Sequence, residues 1–335
     1  MLIKKMVEIY SPTGAEESLV DFLIQWASDH GFHAHKDNVG NFIAVKGTGR
    51  EILLVGHVDT VPGRIAVRVE NNRLYGRGAV DAKGPLAAMI EAAAACSRGR
   101  IVVIGAVDEE GSSKGAKYLL TRYNPQYIII GEPSGWNGIT LGYKGRFNLW
   151  YTDERTKEHS STNTLNCYEH AITFYNILNK YCEGFNDGKS LFEQIGCKLT
   201  SLQTDSDEFT EKVTLQITFR LPLGFSIDSI KKIINESKKT AIVTYSDFEE
   251  AAKSDKKNPL IYSFIGAIRV VKGEPIFKYK TGTSDMNILQ KYNVPIVAYG
   301  PGDSSLAHTP NEYLDLIEYQ KAVEVLKVVL QKLTG

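Results

Sequence analysis

Apolar and polar positions follow two alternating periods over the first 140 or so residues. EESLVDFLIQWASDHG (16–31) repeats its apolar residues at helical spacing and stops at Gly31. NFIAVKG (41–47) reads as a strand, EILLVGHVDT (51–60) as a buried strand, and GPLAAMIEAAAACSRG (84–99) as an Ala-rich helix with Pro85 in its first turn. RIVVIGAV (100–107) is another buried strand, GAKYLLTRY (115–123) a helix and QYIIIGEP (126–133) a further strand. Strands that are apolar on both faces and separated by helices indicate α/β architecture, a mostly parallel sheet with helices on both faces. Functional residues then belong at the carboxyl ends of its strands.

From about Lys144 the pattern changes. GRFNLWYT is a strand, TLNCYEHAITFYNILNKYC a long helix, QIGCKLTSLQ and EKVTLQITFRLP two alternating strands, SIDSIKKIINESKK a helix and TAIVTYS a last strand. That order, βαββαβ, is ferredoxin-like and places a small one-sheet domain at 144–254, inserted into a larger domain made of 1–143 and 255–335. After KSDKKNP the larger domain resumes with a helix, the strand VPIVAYG and a final helix, NEYLDLIEYQKAVEVLKVVLQKL.

A chain of 335 residues with 43% hydrophobic and 23% charged residues can bury sizeable cores, and its length favours two domains. Lys plus Arg and Asp plus Glu are both 39, so no net field favours nucleic acid or an anionic membrane. The four cysteines form no C-x-x-C pair, as expected of reduced thiols in a cytoplasmic protein. Pro12 interrupts the N-terminal stretch before an export signal could form, and no segment approaches the roughly 18 apolar residues of a membrane span. YGRGAVDAKG lacks G-x-G-x-x-G and GSSKGAK lacks the G-K-[ST] of a phosphate loop, which sets nucleotide binding aside.

The informative residues follow the apolar strands. IVVIGAVDEEGSSKG (101–115) places Asp108, Glu109 and Glu110 together; like charges this close need a cation nearby. His57 and Asp59 end one strand and Glu132 another, Asp81 precedes a helix, and His308 lies between a strand and the last helix. Taken singly, His57 reads as a core histidine and Glu109–Glu110 as a solvated loop. Seven such positions at strand ends read differently. Strand alternation turns Glu109 and Glu110 to opposite faces, so one can bind a metal while the other turns to substrate. Asp59 can accept a hydrogen bond from the imidazole of His57, whose other nitrogen is left for a metal. Two imidazoles and several carboxylates suit a pair of divalent ions such as Zn²⁺.

GHVDTVP, GRGAVDAKG, DEEGSSKGAKYL, GEPS and AHTPNE resemble the dinuclear zinc aminoacylase and carboxypeptidase family, peptidase family M20, over essentially the whole chain. Within it, the chain is most similar to the branch that releases lysine or ornithine from an amino-group carrier protein in lysine and arginine biosynthesis. The resemblance implies that His57 and Glu132 bind one metal, Glu110 and His308 the other, and that Asp81 bridges them. It makes Glu109 the general base and Asp59 the residue orienting His57. EHSS resembles a G-x-H-S stretch whose histidine, here His159, stabilises the oxyanion in the partner subunit's site; the usual preceding glycine is absent from ERTKEHSS. ITFRLP resembles the strand whose arginine, here Arg220, grips a substrate carboxylate, and GTSD resembles a substrate-binding loop of Gly282, Thr283, Ser284 and Asp285. Two Zn²⁺ ions, with Co²⁺ as an alternative, a lid domain that forms a homodimer and an acidic carrier protein as substrate complete the implication. Lys231, Lys232, Lys238, Lys239, Lys253, Lys256 and Lys257 are candidates for steering such a carrier. The alternatives are a small-molecule deacylase of acetylornithine or succinyl-diaminopimelate type, a metallo-aminopeptidase, and a nonhydrolytic metal-binding protein.

Overall fold

A computed structural model describes residues 1–159 and 161–335. In chain order it contains α1 (Leu2–Glu8), α2 (Glu17–Asp29), β1 (His33–Lys36), β2 (Phe42–Lys46), β3 (Glu51–His57), β4 (Arg68–Glu70), β5 (Arg73–Tyr75), α3 (Lys83–Ala94), β6 (Arg100–Ala106), α4 (Lys114–Leu119), β7 (Pro125–Gly131) and β8 (Gly138–Tyr143). There follow β9 (Gly145–Thr156), α5 (Cys167–Asn186), β10 (Gly196–Ser206), β11 (Thr210–Leu221), α6 (Asp228–Ser237), β12 (Ile242–Tyr245) and β13 (Ala252–Lys253). The chain ends with α7 (Pro259–Val270), β14 (Ile276–Lys280), α8 (Met286–Leu289), β15 (Ile296–Tyr299), β16 (Tyr313–Asp315) and α9 (Leu316–Thr334).

The chain divides into two compact units. One comprises Met1–Gly142, Lys253–Tyr279 and Ser284–Gly335; the other comprises Tyr143–Ala252 and Lys280–Thr283. Lys280–Thr283, read from the sequence as part of the larger domain, therefore goes with the smaller unit.

In the larger unit the strand order is β1-β2-β6-β3-β7-β15-β8-β13, with β14 also pairing β8. β6, β3, β7 and β15 are parallel to one another and form its centre, while β1, β2 and β8 join antiparallel. Leu53, Leu54 and Val55 of β3 and Val102, Val103 and Ile104 of β6 are all buried. Successive residues point to opposite faces, so both faces of this centre are covered. α3 is apolar all round because it packs on α1, α9 and β3 together.

The smaller unit carries the antiparallel order β10-β11-β9-β12, the ferredoxin-like arrangement. β9 and β11 bury every second residue, the mark of a sheet with one covered face, and α5 and α6 share its core through Phe174, Leu178, Ile230 and Ile234. α5 begins with a reciprocal cap: the Asn166 side chain accepts from the Glu169 amide, and the Glu169 side chain accepts from the Asn166 amide.

The last helix is shorter than its apolar pattern suggests. Tyr313–Asp315 pairs with β5 as a strand, and Asp315 stops it there by accepting hydrogen bonds from the amides of Ile317 and Glu318.

Candidate metal centre

β3 ends in His57, beside Ala106 of β6, and Glu132 directly follows β7, the strand on the other side of β3. His57 is buried, and its Nδ1 lies 2.9 Å from the backbone oxygen of Asp59, to which it donates. The Asp59 carboxylate is farther, with Oδ1 at 3.5 Å. The imidazole is thus oriented by Asp59, more through its carbonyl than its side chain. That leaves Nε2, 3.2 Å from Asp81 Oδ1.

The other Asp81 oxygen, Oδ2, lies 3.2 Å from His308 Nε2, and the same nitrogen lies 2.8 Å from Glu110 Oε1. One carboxylate therefore stands between two imidazoles. The donor atoms of Asp81, Glu110 and His308 lie within 4.8 Å of one another, as do those of His57, Glu109 and Glu110. Glu132 belongs to neither trio, and its charge is among those acting on Glu109.

Glu109 and Glu110 do not separate by strand alternation. β6 ends at Ala106, and the two glutamates lie in a turn entered through Asp108, whose φ is +64°. Asp59 shapes that turn: the amides of Glu109 and Glu110 donate to its two oxygens, each at 3.1 Å, and Thr13 Oγ1 donates to Oδ2 at 2.8 Å. Nothing in the sequence around Thr13 marks it for this role. The same is true of Glu312, which sits inside the quoted AHTPNE and accepts from the Asp81 amide at 3.1 Å.

The electrostatics show a concentration of carboxylates. Burial pushes the Glu109 carboxyl well above its usual range, and Glu132, Asp285 and Glu110 add to this against the opposing effect of His57. Burial acts to lower His57, but hydrogen bonds with Asp59 and Asp81 and the charge of Glu109 outweigh it and set the imidazole well above its ordinary value. Asp81 and Glu110 raise His308 to about 10. Divalent ions bound here would offset this concentration of negative charge.

The spacing suits such ions. Ligand atoms 2.0–2.1 Å from a tetrahedral metal are separated by about 3.3 Å. The two 3.2 Å separations of Asp81 from His57 and His308 are close to that value, whereas His308 and Glu110, at 2.8 Å, are at hydrogen-bond distance.

The other sequence candidates divide between the units. His159 and Arg220 lie in the smaller one. His159 is exposed, with Nδ1 2.8 Å from Ser161 Oγ. Arg220 Nη1 donates to Thr283 Oγ1 at 3.0 Å, and Gly282 belongs to this unit too. Ser284 and Asp285 are buried residues of the larger unit, where the Ser284 amide donates to Asn287 Oδ1.

The family model described as Peptidase family M20/M25/M40 matches residues 53–332. The chain belongs to this family. A Pyrococcus furiosus protein provisionally named LysW-lysine/LysW-ornithine hydrolase is 45% identical, covering 99% of this chain and 96% of its own. The LysW-lysine hydrolase of Deinococcus radiodurans is 40% identical over 100% of this chain and 96% of its own. The M20 family metallo-carboxypeptidase Sso-CP2 of Sulfolobus solfataricus shares the fold with a TM-score of 0.79 at 16% identity, covering 98% and 97% of the two chains. M20 membership makes the protein a metal-dependent hydrolase of amide bonds. No helix among the described residues is long and apolar enough to cross a membrane.

Proposed function

We propose that the protein hydrolyses the amide joining the α-amine of lysine or ornithine to the C-terminal glutamate of an amino-group carrier protein, in lysine and arginine biosynthesis. The observation that carries this reading is the Asp81 carboxylate set 3.2 Å from both His57 and His308, with Glu110 on the second histidine and Glu109 in the same cluster. The names of the two relatives point to the substrate.

In this reading His57 and Glu132 would hold one divalent ion and Glu110 and His308 the second, with Asp81 available to both. Zn²⁺ fits the imidazole and carboxylate donors, and Co²⁺ can replace it. Ions bound there would polarise the scissile carbonyl and lower the pKa of a water toward ~7. Glu109 takes the proton of that water and returns it to the leaving α-amine as the carbon–nitrogen bond breaks. Asp59 holds the Glu109–Glu110 turn and the ring of His57.

The finer assignments follow the same reading. The smaller unit acts as a lid and joins two copies through the edge strand β10, with His159 stabilising the oxyanion in the partner's site. Arg220 grips the substrate carboxylate, and the loop from Gly282 to Asp285 lines the amino-acid end. The carrier is acidic. Lys231, Lys232, Lys238 and Lys239 lie on or just after α6 in the smaller unit, whereas Lys253, Lys256 and Lys257 belong to the larger, so each group is a separate candidate for steering it. A panel of carrier-linked lysine, γ-glutamyl-lysine, acetyl-ornithine, succinyl-diaminopimelate and a lysyl-peptide, each with Zn²⁺ or Co²⁺, tests the proposal. Preference for lysyl-peptide would make the protein an aminopeptidase.

A further inference from the structure

Glu312 is fully buried (0% exposed), and its carboxylate is saturated by one loop. Oε2 accepts from Arg77 Nη1 at 2.9 Å and from the Gly78 amide at 3.1 Å; Oε1 accepts from the amides of Val80 at 2.9 Å and Asp81 at 3.1 Å. The loop is confined from its other side as well. Gly78 has φ +81°, and a Cβ there would meet Thr60 Cγ2 at 2.6 Å. Just after Asp81, buried Lys83 donates from Nζ to the carbonyls of Met6 and Ile9 at the end of α1. Asp81 thus sits on a short backbone segment gripped at successive residues. The gripping carboxylate belongs to the segment HTPNE, which also supplies His308.

We propose that Glu312 is a positioning residue: by fixing the backbone of Asp81 from the segment that carries His308, it holds the Asp81 carboxylate between the two histidines and so sets the affinity of the centre for its metals. Losing a hydrogen-bonded partner that orients a ligand typically costs about 10- to 100-fold in metal affinity, because a binding constellation tolerates only about 0.5 Å of error. Glu312 acts on the backbone of Asp81 and leaves both carboxylate oxygens available. In Glu312→Gln one oxygen becomes an NH₂ group. Arg77, as a charged donor, draws the remaining oxygen toward itself, so the NH₂ faces the Val80 and Asp81 amides and pushes that end of the loop away.

The inference rests on the two-metal reading. Its test is Zn²⁺ affinity, measured on metal-free protein by competition with a chromophoric chelator and read together with the melting temperature of the metal-free form. Glu312→Gln is expected to bind Zn²⁺ about 10- to 100-fold more weakly than wild type. Leu330→Ala, in the core on α9, controls for general destabilisation and is expected to melt earlier while keeping wild-type affinity. Should Glu312→Gln fail to fold, Glu312→Asp keeps both acceptor oxygens and the charge opposite Arg77 while drawing them back from the loop by one methylene, and is expected to lose affinity in the same direction. Wild-type Zn²⁺ affinity in the Glu312 variants, or an equal loss in Leu330→Ala, would overturn the role of Glu312. Wild-type protein that binds no Zn²⁺ would instead overturn the two-metal reading.

Discussion

Replacing Asp59 by Asn removes one acceptor oxygen from a site where none is spare. Asp59 is fully buried, and its two oxygens receive the Glu109 amide, the Glu110 amide and the Thr13 hydroxyl. An asparagine side chain can serve one side only, and its NH₂ must face at least one of the two amides. A buried donor left unsatisfied costs about 1–3 kcal/mol. The Thr13 hydroxyl can rotate to a new partner, so the loss falls on the turn that carries both glutamates. His57 keeps its Nδ1 bond to the Asp59 carbonyl, which the substitution leaves in place, and loses only the charge of the carboxylate 3.5 Å away. Asp59→Asn is therefore expected to lower the melting temperature by a few degrees. If the same 1–3 kcal/mol appears in the transition state, kcat/KM falls roughly 5- to 150-fold. Calorimetry and steady-state assays at saturating Zn²⁺ measure the two effects. Thr13→Ala, which removes one donor and leaves the acceptors intact, should cost about 1 kcal/mol or less. Wild-type melting and kcat/KM in Asp59→Asn would refute the reasoning, as would a loss equalled by Thr13→Ala.

Glu109→Gln should retain metal content while losing turnover, measured by elemental analysis beside the assay; metal lost in step with activity would make Glu109 a ligand. Mixing inactive Glu109→Gln with inactive His159→Ala subunits should restore part of the activity through hybrid dimers, and verified hybrids without recovery would place a complete site in each subunit. Raising salt should lower kcat/KM for the carrier-linked substrate and leave that for γ-glutamyl-lysine nearly unchanged, a comparison that isolates steering of the carrier. Phe174→Ala, in the core of the smaller unit and stacked on Tyr151 at 4.5 Å, should cost about 3–5 kcal/mol, read from chemical denaturation.

Much of the fold could be read in the sequence because burial dictates composition. The doubly apolar runs of β3, β6 and β7 can lie only in a sheet covered on both faces, and the alternation in β9 and β11 only in one covered on a single face. What escaped was decided by single polar atoms. The Asp315 side chain ends a strand and begins α9 where the apolar pattern runs on. Asp108, at positive φ, takes Glu109 and Glu110 out of the strand geometry from which their divergence was expected. His57, Asp81, Glu110 and His308, which the structure brings together, could be singled out because they follow apolar strands or precede helices. Thr13 and Glu312 could not, since a threonine after a proline and a glutamate before a helix have many ordinary uses. Only the tertiary structure shows which backbone amides they meet or which carboxylate they support.

The bond that the enzyme cuts decides its function. The decisive measurement is kcat/KM of the Zn²⁺-loaded enzyme for release of free lysine from its carrier-linked form, set beside acetyl-ornithine, succinyl-diaminopimelate and a lysyl-peptide under the same conditions. Carrier-linked lysine is expected to lead by at least about tenfold, a difference of about 1.4 kcal/mol in transition-state binding. An equal or greater value for any of the other three would contradict it.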